Sequence, residues 1–156
     1  MVQRPMMRIA LCAALVAAPL LTACAGVKAQ TNSYATLAEA RQAGAIANGW
    51  IPEGLPTSSH DIREGHVPGT LQRWGLFEFP HEEEGMLRAL LEPQEIAADG
   101  LPGDVPARIE WWPKVLRGPL DGSRIAATGT RVYRAKDGGL LFAVNWNQGR
   151  AYYWRQ

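Results

Sequence analysis

Arg131-Val132-Tyr133-Arg134-Ala135, Leu140-Leu141-Phe142-Ala143-Val144-Asn145-Trp146 and Ala151-Tyr152-Tyr153-Trp154-Arg155 are three β-rich runs, and the turns between them decide the fold. Lys136-Asp137-Gly138-Gly139 and Asn147-Gln148-Gly149 supply residues that accept φ > 0, as tight hairpin connections require. Two successive hairpins make an antiparallel meander. In the middle run Leu141, Ala143 and Asn145 alternate with Phe142, Val144 and Trp146, and the second set is expected to face a core.

Upstream, Arg108 to Leu116 reads as a further strand, with Ile109 and Trp111 on one side and Trp112 on the other until Pro113 interrupts, and Ile125 to Ala127 as a weaker one. Residues 93–107 are rich in proline and glycine and read as a loop. In residues 82–92, Met86, Leu87, Leu90 and Leu91 form one helical stripe, with glutamates at the start where the helix dipole favours them and Pro93 closing the segment. Gln72 to Phe79 alternates as a strand, Trp74 and Leu76 on one face, Phe77 and Phe79 on the other, and Pro80 ends it.

Thr36 with Glu39 is a capping-box signature for a short helix, ended by Gly44 and then Asn48-Gly49. From Gly49 to His66 the chain is unusual. Pro52 and Pro56 fix their own φ and bias Ile51 and Leu55 toward extended geometry, which makes a stiff apolar strap. Ser58 and Asp61 repeat the capping-box spacing, so one helical turn is expected from Ser59 to Gly65. Helices early and a meander late define an α+β domain: an antiparallel sheet of four or five strands with two or three short helices.

The pattern Gly49-Trp50-Ile51-Pro52, Leu55-Pro56, Asp61-Ile62 and His66, with the later Trp111-Trp112-Pro113 and Tyr152-Tyr153-Trp154, resembles a family of small bacterial lipoprotein and envelope head-type domains. The resemblance runs over residues 34–156. It implies a shared fold and an envelope location and brings no catalytic or ligand residues.

A second resemblance lies at the start. Arg4 and Arg8 precede the apolar run Ile9 to Leu21, and Leu21-Thr22-Ala23-Cys24 resembles the lipobox of bacterial lipoproteins, in which the leader is cut before the cysteine and the cysteine is lipidated. An apolar run of 13 residues is shorter than the roughly 20 a spanning helix needs. The expected organisation is a cleaved leader over residues 1–23, a lipidated tether over 24–33 and one domain over 34–156. The alternatives are a plain secretory signal or a cytosolic helix. Ala25, in place of an aspartate, favours by the same resemblance the outer membrane, facing the periplasm, if the cell is Gram-negative.

Cys12 lies in the leader and Cys24 would carry lipid, so the expected domain has no disulfide, no thiol catalysis and no cysteine-ligated zinc. Without Arg4 and Arg8 the formal charge falls from +1 to −1, which gives no bias toward nucleic acid. Locally, Glu78 to Asp104 holds eight acids against Arg88 alone, whereas residues 105–156 carry nine Lys or Arg against three acids. These segments either fold side by side and cancel, or leave a basic face for an acidic partner such as a phosphate-bearing envelope polymer.

His60, His66 and His81, with Asp61, Glu64 and Glu82 to Glu84, are the one grouping with metal-ligand chemistry, and a six-residue separation does not place His60 and His66 on one helix face. No metal or cofactor is expected. Asp61 and His66 are expected to bond backbone and fix the strap together with Trp50, Pro52 and Pro56, leaving His60 and His81 solvated. No Gly-x-Ser-x-Gly elbow or phosphate loop occurs. Six Trp and four Tyr remain. Most belong to a core, or Trp111, Trp112, Tyr152, Tyr153 and Trp154 make an exposed binding face, beside Lys114, Arg117, Arg150 and Arg155. The expected function is a membrane-anchored, non-enzymatic envelope lipoprotein that binds a protein or glycan. The rivals are a lipid-anchored immunity or inhibitor protein and a small hydrolase with an unrecognised site.

Overall fold

The computed structural model describes residues 28–155. The leader, the lipobox and Cys24 lie outside them. In chain order the elements are β1 (Gln30–Thr36), α1 (Leu37–Gln42), β2 (His60–His66), β3 (Arg73–Glu78), a 3-10 turn at His81–Glu83 running into α2 (Glu84–Leu90), β4 (Leu91–Glu95), β5 (Pro102–Gly103), a 3-10 turn at Lys114–Leu116, β6 (Gly118–Pro119), α3 (Gly122–Ala127), β7 (Arg131–Ala135), β8 (Leu141–Asn145) and β9 (Arg150–Arg155). Seven strands form one antiparallel sheet in the order β1-β2-β3-β9-β8-β7-β4, and β5 pairs with β6 apart from it.

The mixed α+β character and the meander are as expected, but the sheet has seven strands where four or five were expected. The extra strands are ones without hydrophobic alternation. β1 takes up residues 30–33 of the expected tether; it is the edge strand and exposed along most of its length, so nothing selects apolar residues there. β2 replaces the expected helical turn, because β1 and β3 flank it and supply ladder partners on both sides. Pro93 does not close α2 but sits within β4, at the other edge, where a missing N–H is tolerated. Leu91 leaves the helix, and of the expected stripe within α2 only Leu87 is buried while Met86 is exposed.

Two further segments differ. Arg108 to Leu116 is not a strand: Arg117 donates to the carbonyls of Val105, Pro106 and Ile109 and gathers the segment into turns. Ile125 to Ala127 ends α3, whose N-cap Asp121 accepts from the Arg124 N–H at 3.0 Å.

Both faces of the sheet are covered. On one, α1, the strap and α2 pack Ala40, Ile51, Leu55 and Leu87 against Ile62, Phe77, Phe142, Val144 and Tyr153. On the other, residues 98–125 pack Ile109, Trp112, Leu116 and Ile125 against Trp74, Val132, Ala143 and Trp154. Phe142 and Val144 therefore face a core as expected, and Ala143 faces a second one. Glu78 with Arg150, and Glu95 with Arg131 at 3.5 Å, join the acidic segment to the basic one.

Candidate functional site around strand β2

β2 carries polar chemistry at nearly every position, and its alternation sorts that chemistry onto two faces. Ile62, Glu64 and His66 point to the core beneath the strap, whereas Arg63 and Gly65 point to the opposite face, where the Trp74 ring lies over Gly65. An added Cβ on Gly65 would stand 2.5 Å from that ring.

Beneath the strap, Glu64 is 0% exposed. Its Oε1 accepts from the Asn32 amide, and its Oε2 lies 3.0 Å from His66 Nδ1. With Oε2 as the acceptor, His66 is the donor through Nδ1. The Trp50 indole lies flat on the His66 imidazole, 4.1 Å between centroids and 8° between planes. Tyr153 donates from its hydroxyl to the Trp50 carbonyl at 3.0 Å, and Arg73 donates to the Gly49 carbonyl. Burial pushes the Tyr153 phenol well above its ordinary range, the nearby Glu64 adds to that, and Arg73 opposes it. Burial likewise lowers Arg73, with Arg155 adding to the effect, and raises Tyr34, with Glu64 adding.

The strap is therefore clasped at Gly49-Trp50 by side chains from β2, β3 and β9. Ile51, Leu55 and Pro56 are buried and Pro52 is half-buried, so the two prolines hold an apolar segment in place. His66 works differently from the expectation: it bonds a buried side chain and stacks on Trp50, because β2 is a strand in which residues two apart share a face. Asp61 is exposed and has φ +47 at the register shift between β2 and β3. A pocket of about 140 Å³ opens beside the clasp, lined by Trp50, His66, Leu71 and Arg73 among others.

The opposite face carries a groove of about 300 Å³ at the β1–β2 edge, lined by Ser33, Tyr34, Asp61, Arg63 and Trp111 among others. Of the five aromatic residues expected to form a binding face, Trp112, Tyr153 and Trp154 are buried, with the indole N–H groups of Trp112 and Trp154 donating to the carbonyls of Leu116 and Pro102 at 3.0 and 3.1 Å. The hydrophobic demand of a domain with two cores takes them inside. Trp111 and Tyr152 stay half-exposed, each edge-on to Trp112 with centroids 6.1 and 5.6 Å away. Only Trp111 of the five lines the groove.

At its first residue β2 carries His60, half-exposed, with Nε2 3.6 Å from Glu78 and 3.9 Å from Asp61. His81 faces Glu84 at 3.1 Å. His60 and His66 stand at opposite ends of β2, and His81 belongs to the turn before α2, so the three do not converge. Sequence reasoning missed Arg63 and the Glu64–His66–Asn32 arrangement. The available signal was the two-residue spacing of Glu64 and His66, which has meaning only on a strand.

Residues 28–78 match the family model of the YbbD head domain, a bacterial envelope-type head domain. The match covers about a third of the chain and takes in β1, α1, the strap, β2 and β3, hence the clasp except Tyr153 and the groove except Trp111. No curated protein and no solved structure matches the chain. Among the described residues no helix is long and apolar enough to cross a membrane.

Proposed function

We propose that the chain is a bacterial envelope binding protein, anchored through lipid on Cys24, whose β1–β2 groove takes an envelope glycan bearing acidic groups. The observation that carries this reading is Trp111. Its indole is half-exposed and held edge-on by Trp112, so its orientation is set before any ligand arrives. Sugar rings offer an apolar face for such an indole and hydroxyls for the groups around it. Ser33, paired with Arg63 on the same face, supplies a hydroxyl, Asp61 an acceptor, and Arg63 a guanidinium that forms no ion pair among the described residues. An arginine free in that way selects a carboxylate or phosphate by paired, charge-assisted bonds.

Location supports the same reading. Ser33 is nine residues from Cys24, and nine extended residues reach at most about 30 Å, so the groove would stay close to the membrane surface. The resemblance of the leader to lipoprotein leaders, and the match to an envelope-type head domain, agree with that position.

The test is calorimetric titration of the membrane-extracted protein with soluble carboxylate-bearing cell-wall oligosaccharides, beside a neutral oligosaccharide of the same length. Binding should weaken tenfold or more in Trp111→Ala, and Arg63→Ala should erase the preference for the acidic ligand. Wild-type affinity in Trp111→Ala, or no binding by the wild type, refutes the groove. Cys24→Ser should move the protein to the soluble fraction, and its retention on membranes refutes the anchor.

A further inference from the structure

We infer that His60, Asp61 and Glu78 form a site for a divalent transition metal of the zinc type, where the strap runs into β2. This goes beyond the glycan reading and does not rest on it. One ligand atom from each residue lies within 4.8 Å of the other two. Such convergence is not automatic, because neighbours on a strand point to opposite faces. Asp61 escapes that rule through its φ of +47 at the register shift, which brings its Oδ2 to 3.9 Å from His60 Nε2. Glu78 is the residue paired with His60 across the β2–β3 ladder, and its Oε2 stands 3.6 Å from the same nitrogen.

The groups around the three residues prepare them for a cation. His60 Nδ1 faces the Ser58 carbonyl at 3.2 Å; a carbonyl can only accept, so Nδ1 donates to it and Nε2 is the nitrogen turned toward the two carboxylates, the one that would bind a metal. Histidine ligands are commonly fixed by this kind of outer bond. Arg150 holds Glu78 through Oε1 with both Nε and Nη2, which locks the rotamer and leaves Oε2 for the metal. Two carboxylates outweigh that one guanidinium, so a dication gains net attraction. With bonds of about 2.0 to 2.1 Å, tetrahedral ligands sit about 3.4 Å apart, so small side-chain rotations close the set. One imidazole with two carboxylates suits zinc or its neighbours better than calcium or magnesium, which favour all-oxygen shells, and water completes the coordination.

The experiment uses the full chain after chelation. Zinc titration should show one equivalent bound with a rise in melting temperature, and cobalt(II) should give the visible absorption of a four-coordinate N/O site. His60→Gln and Asp61→Asn, at a half-exposed and an exposed position, should each weaken uptake at least tenfold, while His81→Gln should leave it unchanged. No uptake by the wild type, or equal uptake in all variants, overturns the site. Repeating the oligosaccharide titration in chelator separates the two readings: glycan binding that persists there stands by itself, whatever the metal result.

Discussion

Replacing Glu64 tests the clasp most directly. Glu64→Ala leaves the His66 Nδ1–H and the Asn32 amide without their acceptor. Removing one partner of a buried pair costs about 3 to 5 kcal/mol. Asn32 belongs to the exposed edge strand and can turn its amide to water, so the penalty falls mainly on His66, which is only 5% exposed. That places the expected loss near the lower end, about 3 kcal/mol. Glu64→Gln keeps the shape but exchanges a charge-assisted bond for a neutral one, and should cost about 1 to 2 kcal/mol. The assay is urea unfolding followed by tryptophan fluorescence and near-ultraviolet circular dichroism. With a slope of about 1.5 kcal/mol per molar, Glu64→Ala should lower the midpoint by about 2 M without changing the slope. His66→Phe retains a ring for Trp50 to stack on, so a cycle with Glu64→Gln isolates the Glu64–His66 hydrogen bond and should return a coupling of about 1 kcal/mol or more. A Glu64→Ala midpoint within about 0.3 M of wild type would refute the clasp as a source of stability.

Two other expectations follow from the same face of the sheet. In Gly75→Ala the new Cβ would stand 2.3 Å from the Tyr153 ring, whose hydroxyl is tied to Trp50, so the variant should lose about 3 kcal/mol, whereas Gly85→Ala meets nothing within 4 Å in α2 and should gain up to about 1 kcal/mol. Thermal unfolding of the two variants checks this, and equal shifts would contradict it. Because the folded state raises the Tyr153 phenol, both states hold its proton at neutral pH, and only the unfolded chain releases it above about pH 10. This contribution to stability should be intact below that pH and fall by about 1.4 kcal/mol per pH unit above it, until the folded phenol also ionises. Tyr153→Phe should remove that part of the slope and cost about 1 kcal/mol at neutral pH for the lost bond, as read from urea midpoints across the alkaline range. Identical alkaline slopes in both proteins would exclude Tyr153 as the cause.

The parts legible in the sequence are those determined by neighbours in the chain. Thr36 caps α1 by accepting from the Glu39 N–H at 3.2 Å, and Glu39 reaches back to the Ala35 N–H at 2.9 Å, all within five residues. The meander turns carry glycines at φ +72 and +63, at Gly138 and Gly149, and the β-formers beside them are contiguous. β1 and β2 were hidden because an edge strand shows no apolar alternation, and because the acid on β2 has its partner Asn32 at a distance of 32 residues. Trp111 and Trp112 suggested a strand by propensity, but the bonds of Arg117 to four carbonyls overrode it. For the same reason the aromatic residues could be counted but not assigned. Trp112 and Trp111 are adjacent, yet one is sealed in a core and the other lines the groove.

The position of β9 has a consequence for how the molecule is made. β1, β2 and β3 are neighbours in sequence order, as are β7 and β8 beside β4, and β9 alone hydrogen-bonds the one block to the other. In a chain delivered N-terminus first, there is an interval in which β9, the last strand, has not yet arrived. During that interval β3 and β8 each present a bare ladder edge with large apolar side chains, the state in which sheets recruit strangers. Truncation before Arg150 would accordingly yield an aggregate and not a smaller folded protein. Nascent chains of this topology should depend on holding factors until β9 has passed.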